Sequence, residues 1–146
     1  IGSAQEENTQ KNPFSYMRRL YILKKVFDEE IRARRLIIQP LNDIGVGNNT
    51  KWGEYVLKTA RETYGINPTI MISGKEERRE TWFSDEMAEL FIPKAYEISA
   101  TALRLAMLRD DREFWKKHVP MEIWDEYDDL RRILIAAQEN AETASI

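Results

Sequence analysis

Between Asn12 and Ile38 the sequence NPFSYMRRLYILKKVFDEEIRARRLII sets apolar residues at steps of three and four. Tyr16, Leu20, Leu23, Phe27 and Ile31 therefore share one face of a helix, a pattern no strand can bury. Asn12 suits an N-cap, and Pro13 suits the first helical position, where a missing N–H costs nothing. Pro40 closes the segment, because the residue before a proline is driven out of the helical region. The spacing predicts one long helix over 12–38. Arg18, Lys25 and Arg32 step by seven along it and form a second stripe, widened by Arg19, Lys24, Arg34 and Arg35.

That helix is basic in an acidic chain. Residues 11–36 hold eight Lys/Arg against three acids, Asp28, Glu29 and Glu30, whereas the whole chain carries a formal charge of −3. Residues 1–65 have eleven bases and eight acids, and residues 66–146 have eleven and seventeen. Such an asymmetry predicts two surfaces with different neighbours. A helix packed by one face and laid along a polyanion by another would use the stripe, although the same charges suit an ordinary solvated helix face.

The remaining segments also read as helical. Thr50 caps KWGEYVLKTARETYG, with Gly65 as its stop, Trp52, Tyr55, Val56 and Ala60 on an apolar side, and Lys58 and Arg61 on a basic one. TIMIS (69–73) has strand-like composition but no convincing second strand to pair with, so it is expected to be a loop lying on the helices. From Ser84 onward the pattern is helical. Asp85 and Glu86 lie in a first turn, Pro93 makes a kink, and Ala95, Ile98, Ala102, Leu105 and Leu108 (or Met107) form an apolar stripe. RDDREFWKKH continues or bends that helix. After Pro120, Ile123, Trp124, Tyr127, Leu130, Ile133, Leu134 and Ala137 mark the last helix. The polar residues 1–11 read as an extended arm, ordered only if a neighbouring subunit or a ligand holds it.

The expected architecture is thus all-α. A C-terminal helical bundle carries a projecting basic N-terminal helix and an extended arm. Within one domain over 1–146, residues 1–11 are the arm, 12–65 the basic helices and 66–146 the acidic bundle.

Chemistry-bearing motifs are sparse. With no cysteine there is no disulfide, thiolate metal site or cysteine nucleophile. No apolar run approaches the ~20 residues of a membrane span. The start lacks an initiator Met, which reads as the product of a cleavage or an excised piece. Gly45-Val46-Gly47 lacks the spacing and the Lys-Ser/Thr of a phosphate-binding loop. His118 has no carboxylate or serine partner at recognisable spacing. The run Glu122, Asp125, Glu126, Asp128 and Asp129 lacks the glycine and alternation of a calcium loop and reads as a solvated face. Trp52, Trp82, Phe83, Trp115 and Trp124 suit core or interface anchors better than base-stacking platforms. No catalytic residue, metal or cofactor is expected, and the chain is not expected to be an enzyme.

Tyr55-Val56-Leu57-Lys58-Thr59-Ala60-Arg61 follows a Tyr-x-Leu-Lys-x-Ala-Arg pattern. It resembles a segment in the major capsid proteins of filamentous and rod-shaped viruses of hyperthermophilic archaea. The order of arm, basic helix, glycine-rich loop and acidic helical half is similar too. The resemblance implies a structural capsid protein that coats double-stranded DNA, held in the A-form, in a helical viral filament. It implies non-specific phosphate contact by Arg18, Arg19, Lys24, Lys25, Arg32, Arg34, Arg35, Lys58 and Arg61. The implied partners are the DNA and other capsid subunits, homo- or hetero-oligomeric, with a more basic paralogous subunit as one of them. The implied location is the virion, assembled in the host cytoplasm. The alternative from the residues alone is a soluble helical interaction module, a regulator or adaptor without nucleic-acid binding.

Overall fold

The computed structural model describes residues 1–45, 49–74, 87–93 and 98–143. Its elements are α1 (Tyr16–Val26), α2 (Asp28–Arg32), α3 (Asn49–Tyr64), β1 (Ile70–Ser73), β2 (Ala88–Phe91), α4 (Ala100–Leu108), α5 (Arg112–His118), a 3₁₀ helix (Met121–Glu126) and α6 (Tyr127–Thr143). They fall into two compact units, one of residues 1–43 and 98–146, the other of residues 44–97.

In the first unit the core is built by the C-terminal elements. Ile123, Tyr127, Leu130, Leu134 and Ala137 are buried at alternating steps of four and three, the helical stripe their spacing predicts. Met107 of α4 and Trp115 of α5 complete the cluster, with the Trp115 and Tyr127 rings edge to face at 5.1 Å. Tyr127 is fully buried, and its hydroxyl donates to Asp110 at 3.1 Å. Ser99 caps α4 by accepting from Ala102 N at 3.1 Å, and Asp111 caps α5 by accepting from Phe114 N at 3.0 Å. Between them Asp110 takes a left-handed conformation, φ 57°. Asp110 N donates to Met107 O and Asp111 N to Ala106 O, so the chain turns sharply between two short helices.

The N-terminal helix does not project from this core. Phe14, Ile22 and Val26 pack against it, so the buried face of α1 is rotated away from the predicted line of Tyr16, Leu20, Leu23 and Phe27. Nor is it one helix over 12–38. Ser15, not Asn12, is the N-cap and accepts from Arg18 N at 3.2 Å. The helix breaks at Phe27 (φ −114°), and α2 ends with Ala33 as its C-cap. The ending is a Schellman turn, with Arg34 N donating to Ile31 O at 3.0 Å and Arg35 N to Glu30 O at 2.8 Å. Arg34 sits in the left-handed position of that turn, φ 56°, where glycine is usual.

The arm is bonded to its own chain. Ile1 N donates to Gln39 O at 2.7 Å, Leu41 N to Ile1 O at 2.8 Å and Ala4 N to Leu41 O at 3.0 Å. Gln5 and Asp43 exchange two further bonds, and Arg19 donates to Gly2 O and Ser3 O at 2.7 and 2.8 Å. These bonds offset an ordering cost of roughly 1–2 kcal/mol per residue.

The second unit overturns the all-α expectation. β1 and β2 form a parallel pair in the register Ile70↔Ala88, Met71↔Glu89, Ile72↔Leu90 and Ser73↔Phe91. TIMIS is therefore a strand and not a loop, and 88–91 is a strand where a helix was expected. Ala, Glu and Leu in AELF favour helices locally, and pairing overrides that preference. Helix α3 ends at Gly65, left-handed with φ 71°, whose N donates to Arg61 O at 2.8 Å, the stop its sequence predicts. The expected cap at Ser84, the acids Asp85 and Glu86, the residues Trp82, Phe83 and Ala95, and the Val46-Gly47 turn lie outside the described residues.

Candidate functional site

The predicted phosphate-contacting stripe is occupied within the chain. Arg18 donates to Glu126 Oε2 at 2.7 Å and lies 2.8 Å from Asp129 Oδ2. Lys25 lies 2.7 Å from both Asp125 Oδ1 and Glu126 Oε1, and Tyr21 donates its hydroxyl to Glu126 Oε1 at 3.0 Å. Glu126 is only 8 % exposed, so three donors from α1 converge on one buried carboxylate. Hydrogen bonding by Lys25 is the main cause holding Glu126 and Asp125 below the usual carboxylate range, and the same contacts raise the Lys25 ammonium. Three acids of the run expected to be a solvated face, Asp125, Glu126 and Asp129, are thus partners of Arg18 and Lys25, whereas Asp128 pairs with Arg112 and is largely exposed. Seven-residue spacing put Arg18 and Lys25 together correctly, but on the face that docks against the 3₁₀ helix.

Most of the other predicted contacts are similarly engaged. Arg19 holds the arm, Arg32 pairs with Asp28 at 2.9 Å, and Arg35 lies 3.8 Å from Glu30. In the second unit Lys58 lies 3.8 Å from Glu62, and Arg61 donates Nε to Asn67 Oδ1 at 2.7 Å. Lys24 and Arg34 are different: both line a groove beside α1 and α2, and among the described residues neither has a carboxylate within ion-pair distance. His118 bonds Phe114 O through Nδ1 at 2.8 Å and packs on the Phe114 ring at 4.4 Å with the planes tilted by 40°, which is a helix-end packing role. Trp115 is core, whereas Trp124 is partly exposed under the Lys116 ammonium.

A separate cleft of about 340 Å³ opens where the arm meets α4 and α6. Lys11 and Gln10 come from the arm, Thr101 and Arg104 from α4, and Gln138 from α6, over a floor of Leu105, Leu108 and Leu134. No acid lines it. Arg104 makes a long contact, 3.4 Å, with Thr101 Oγ1, and among the described residues neither Arg104 nor Lys11 is in an ion pair. Two cations, a hydroxyl and two amides above an aliphatic floor make a receptor for an anion with a less polar body. Spacing within α4 puts Thr101, Arg104, Leu105 and Leu108 on one face. Lys11 joins them only because the arm folds back, so no signal in the sequence assembled this cleft.

No family model matches the chain. Over 135 residues it is 29% identical to a nicotinamide-nucleotide adenylyltransferase of Thermococcus kodakarensis, covering 84% of this chain and 62% of that protein. Over 126 residues it is 28% identical to a protein of the same name from Thermococcus onnurineus, covering 86% of this chain and 59% of the relative. The chain thus spans about three fifths of the length of these relatives. Both relatives are named as an enzyme, which overturns the capsid resemblance and the expectation of no enzymatic activity. A filament of capsid subunits around A-form DNA, location in a virion and the adaptor alternative fall with it. In the structure Arg18 and Lys25 are paired with Asp125, Glu126 and Asp129. The Tyr-x-Leu-Lys-x-Ala-Arg motif is an ordinary stretch of amphipathic helix α3, in which Lys58 and Arg61 have partners of their own.

Proposed function

We propose that this chain is the nucleotide-binding part of an enzyme that transfers an adenylyl group to a nicotinamide nucleotide. The observation that carries the reading is the similarity to two adenylyltransferases along more than four fifths of the chain. The cleft between the arm, α4 and α6 supports it. Adenylyl transfer brings two phosphate-bearing molecules together, and charge builds on the phosphates that depart. Lys11 and Arg104 are the cations that would neutralise it, with Thr101 and the Gln10 and Gln138 amides donating to phosphate and ribose oxygens. Leu105, Leu108 and Leu134 offer an apolar surface for a base.

Binding is the decisive readout, because the relatives are longer than this chain. Isothermal titration with ATP and with nicotinamide mononucleotide should give saturable binding that weakens as salt is added. Arg104→Gln and Lys11→Gln should each weaken it about tenfold, the worth of one charge-assisted hydrogen bond. Chromatography of a mixture of both nucleotides with Mg²⁺ and the chain would reveal any dinucleotide formed. Failure of both nucleotides to bind at millimolar concentration overturns the reading.

A further inference from the structure

The groove at Lys24 and Arg34 is unlike the cleft of α4 and α6. It has a volume of about 370 Å³ and walls of Leu20, Ile31, Leu36, Ile37 and Ile38. Its polar side chains are two cations, Lys24 and Arg34, with no carboxylate in ion-pair range of either among the described residues. The acids nearest in sequence are committed elsewhere: Asp28 to Arg32, and Glu30 to Arg35. An aliphatic trough with paired positive charges at its rim is complementary to an amphipathic anion.

The backbone at Arg34 adds an independent observation. Helix α2 ends in a Schellman turn whose left-handed position favours glycine. Two other described helices end on a left-handed residue: α3 at Gly65, through the single bond from Gly65 N to Arg61 O, and α4 at Asp110, a residue type that tolerates the conformation. Of these three, Arg34 alone puts a long cationic side chain there, and its Cβ makes the left-handed conformation costly at an exposed groove. A costly backbone conformation at a groove-lining residue is a reason to ask what that residue binds.

We propose that this groove binds the free carboxylate of an aliphatic acid of medium chain length. Arg34 pairs with the carboxylate in bidentate fashion, Lys24 adds a second charge, and the acyl chain lies along Leu20, Ile31 and the 36–38 segment. A carboxylate fits better than a phosphate because a dianion would lose more hydration in so apolar a trough. The inference is independent of the adenylyl-transfer reading.

Titration calorimetry with decanoate, decanol and decyl phosphate tests it, together with sedimentation with anionic vesicles. Decanoate should saturate a single site, and decanol should bind about tenfold more weakly. Arg34→Gln and Lys24→Gln should each lower decanoate affinity about tenfold and leave decanol unchanged. Arg34→Gly is the sharper variant. It should lose decanoate binding in the same measure while its Tm stays level or rises by about 2–4 °C, because glycine relieves the turn. Equal binding of decanol, unchanged affinity in Arg34→Gln, or a lowered Tm in Arg34→Gly each overturns the proposal. Preference for decyl phosphate or for vesicles overturns it in favour of a phosphate-headed amphiphile or a membrane surface.

Discussion

Glu126 is the residue on which the first unit turns. It is buried, yet it is an acid, and it stays charged because Arg18, Lys25 and Tyr21 reach it from α1. Removing it would take away the buried carboxylate that the two cations share, leaving Arg18 only Asp129 and Lys25 only Asp125. Glu126→Ala should therefore cost about 2–4 kcal/mol in urea unfolding, whereas surface acids should cost little. The pH dependence follows from the directions of shift. Glu126, Asp125 and Asp128 titrate below their unfolded values, so their stabilisation is complete above about pH 5 and is lost as pH falls through the folded values. Lys25 and Tyr127 titrate above theirs, Lys25 through its carboxylate partners and Tyr127 mainly through burial. Their contribution is complete below about pH 10 and is lost as pH rises beyond it. Thermal unfolding across pH should show a plateau between these limits, and Glu126→Gln should flatten the acid side. An acid limb unchanged in that variant would show that Glu126 does not control it.

Among the elements, the short helices depend on their caps. At nine and seven residues, α4 and α5 are below the length at which an isolated helix persists. Their stability comes from the faces they bury and from Ser99 and Asp111, whose side chains close the first turns. Ser99→Ala and Asp111→Ala should each cost about 1 kcal/mol. Ser99→Asp should restore the first loss, which separates capping from packing. Pairs of helical residues three and four apart were legible in advance, and so were the ends at Gly65 and Pro120. The parallel strands were not. Four residues of β1 and four of β2 have too little composition to declare themselves, and the partner of each is eighteen positions away.

For the molecule as a whole, the first unit is one core assembled from both ends of the chain. Leu134 reaches the centre of that core and also floors the candidate cleft. Leu134→Ala should cost about 2–5 kcal/mol and weaken nucleotide binding at the same time. Arg104→Gln, by contrast, should weaken binding with the melting curve unchanged. Measured together, the two variants separate loss of the fold from loss of the site.

The sequence by itself determined that α1, α3, α4 and α6 are helical, the end at Gly65 and the buried stripe of α6, because a period of 3.6 residues is a local property; it misplaced the bounds of the first helix and read 88–91 as helix. It also showed that Arg18 and Lys25 share a face. What that face meets was a tertiary decision. A lysine beside solvent and a lysine beside Asp125 have the same neighbours in the chain, and about a hundred residues separate Lys25 from its partners. The same holds for Lys11 and Arg104 in the cleft, which lie ninety-three positions apart and meet where the segment before α1, with Phe14 on the core, lies beside α4 and α6. Charge can be counted along a sequence, but its pairing depends on distances of a few ångströms that only the folded chain sets.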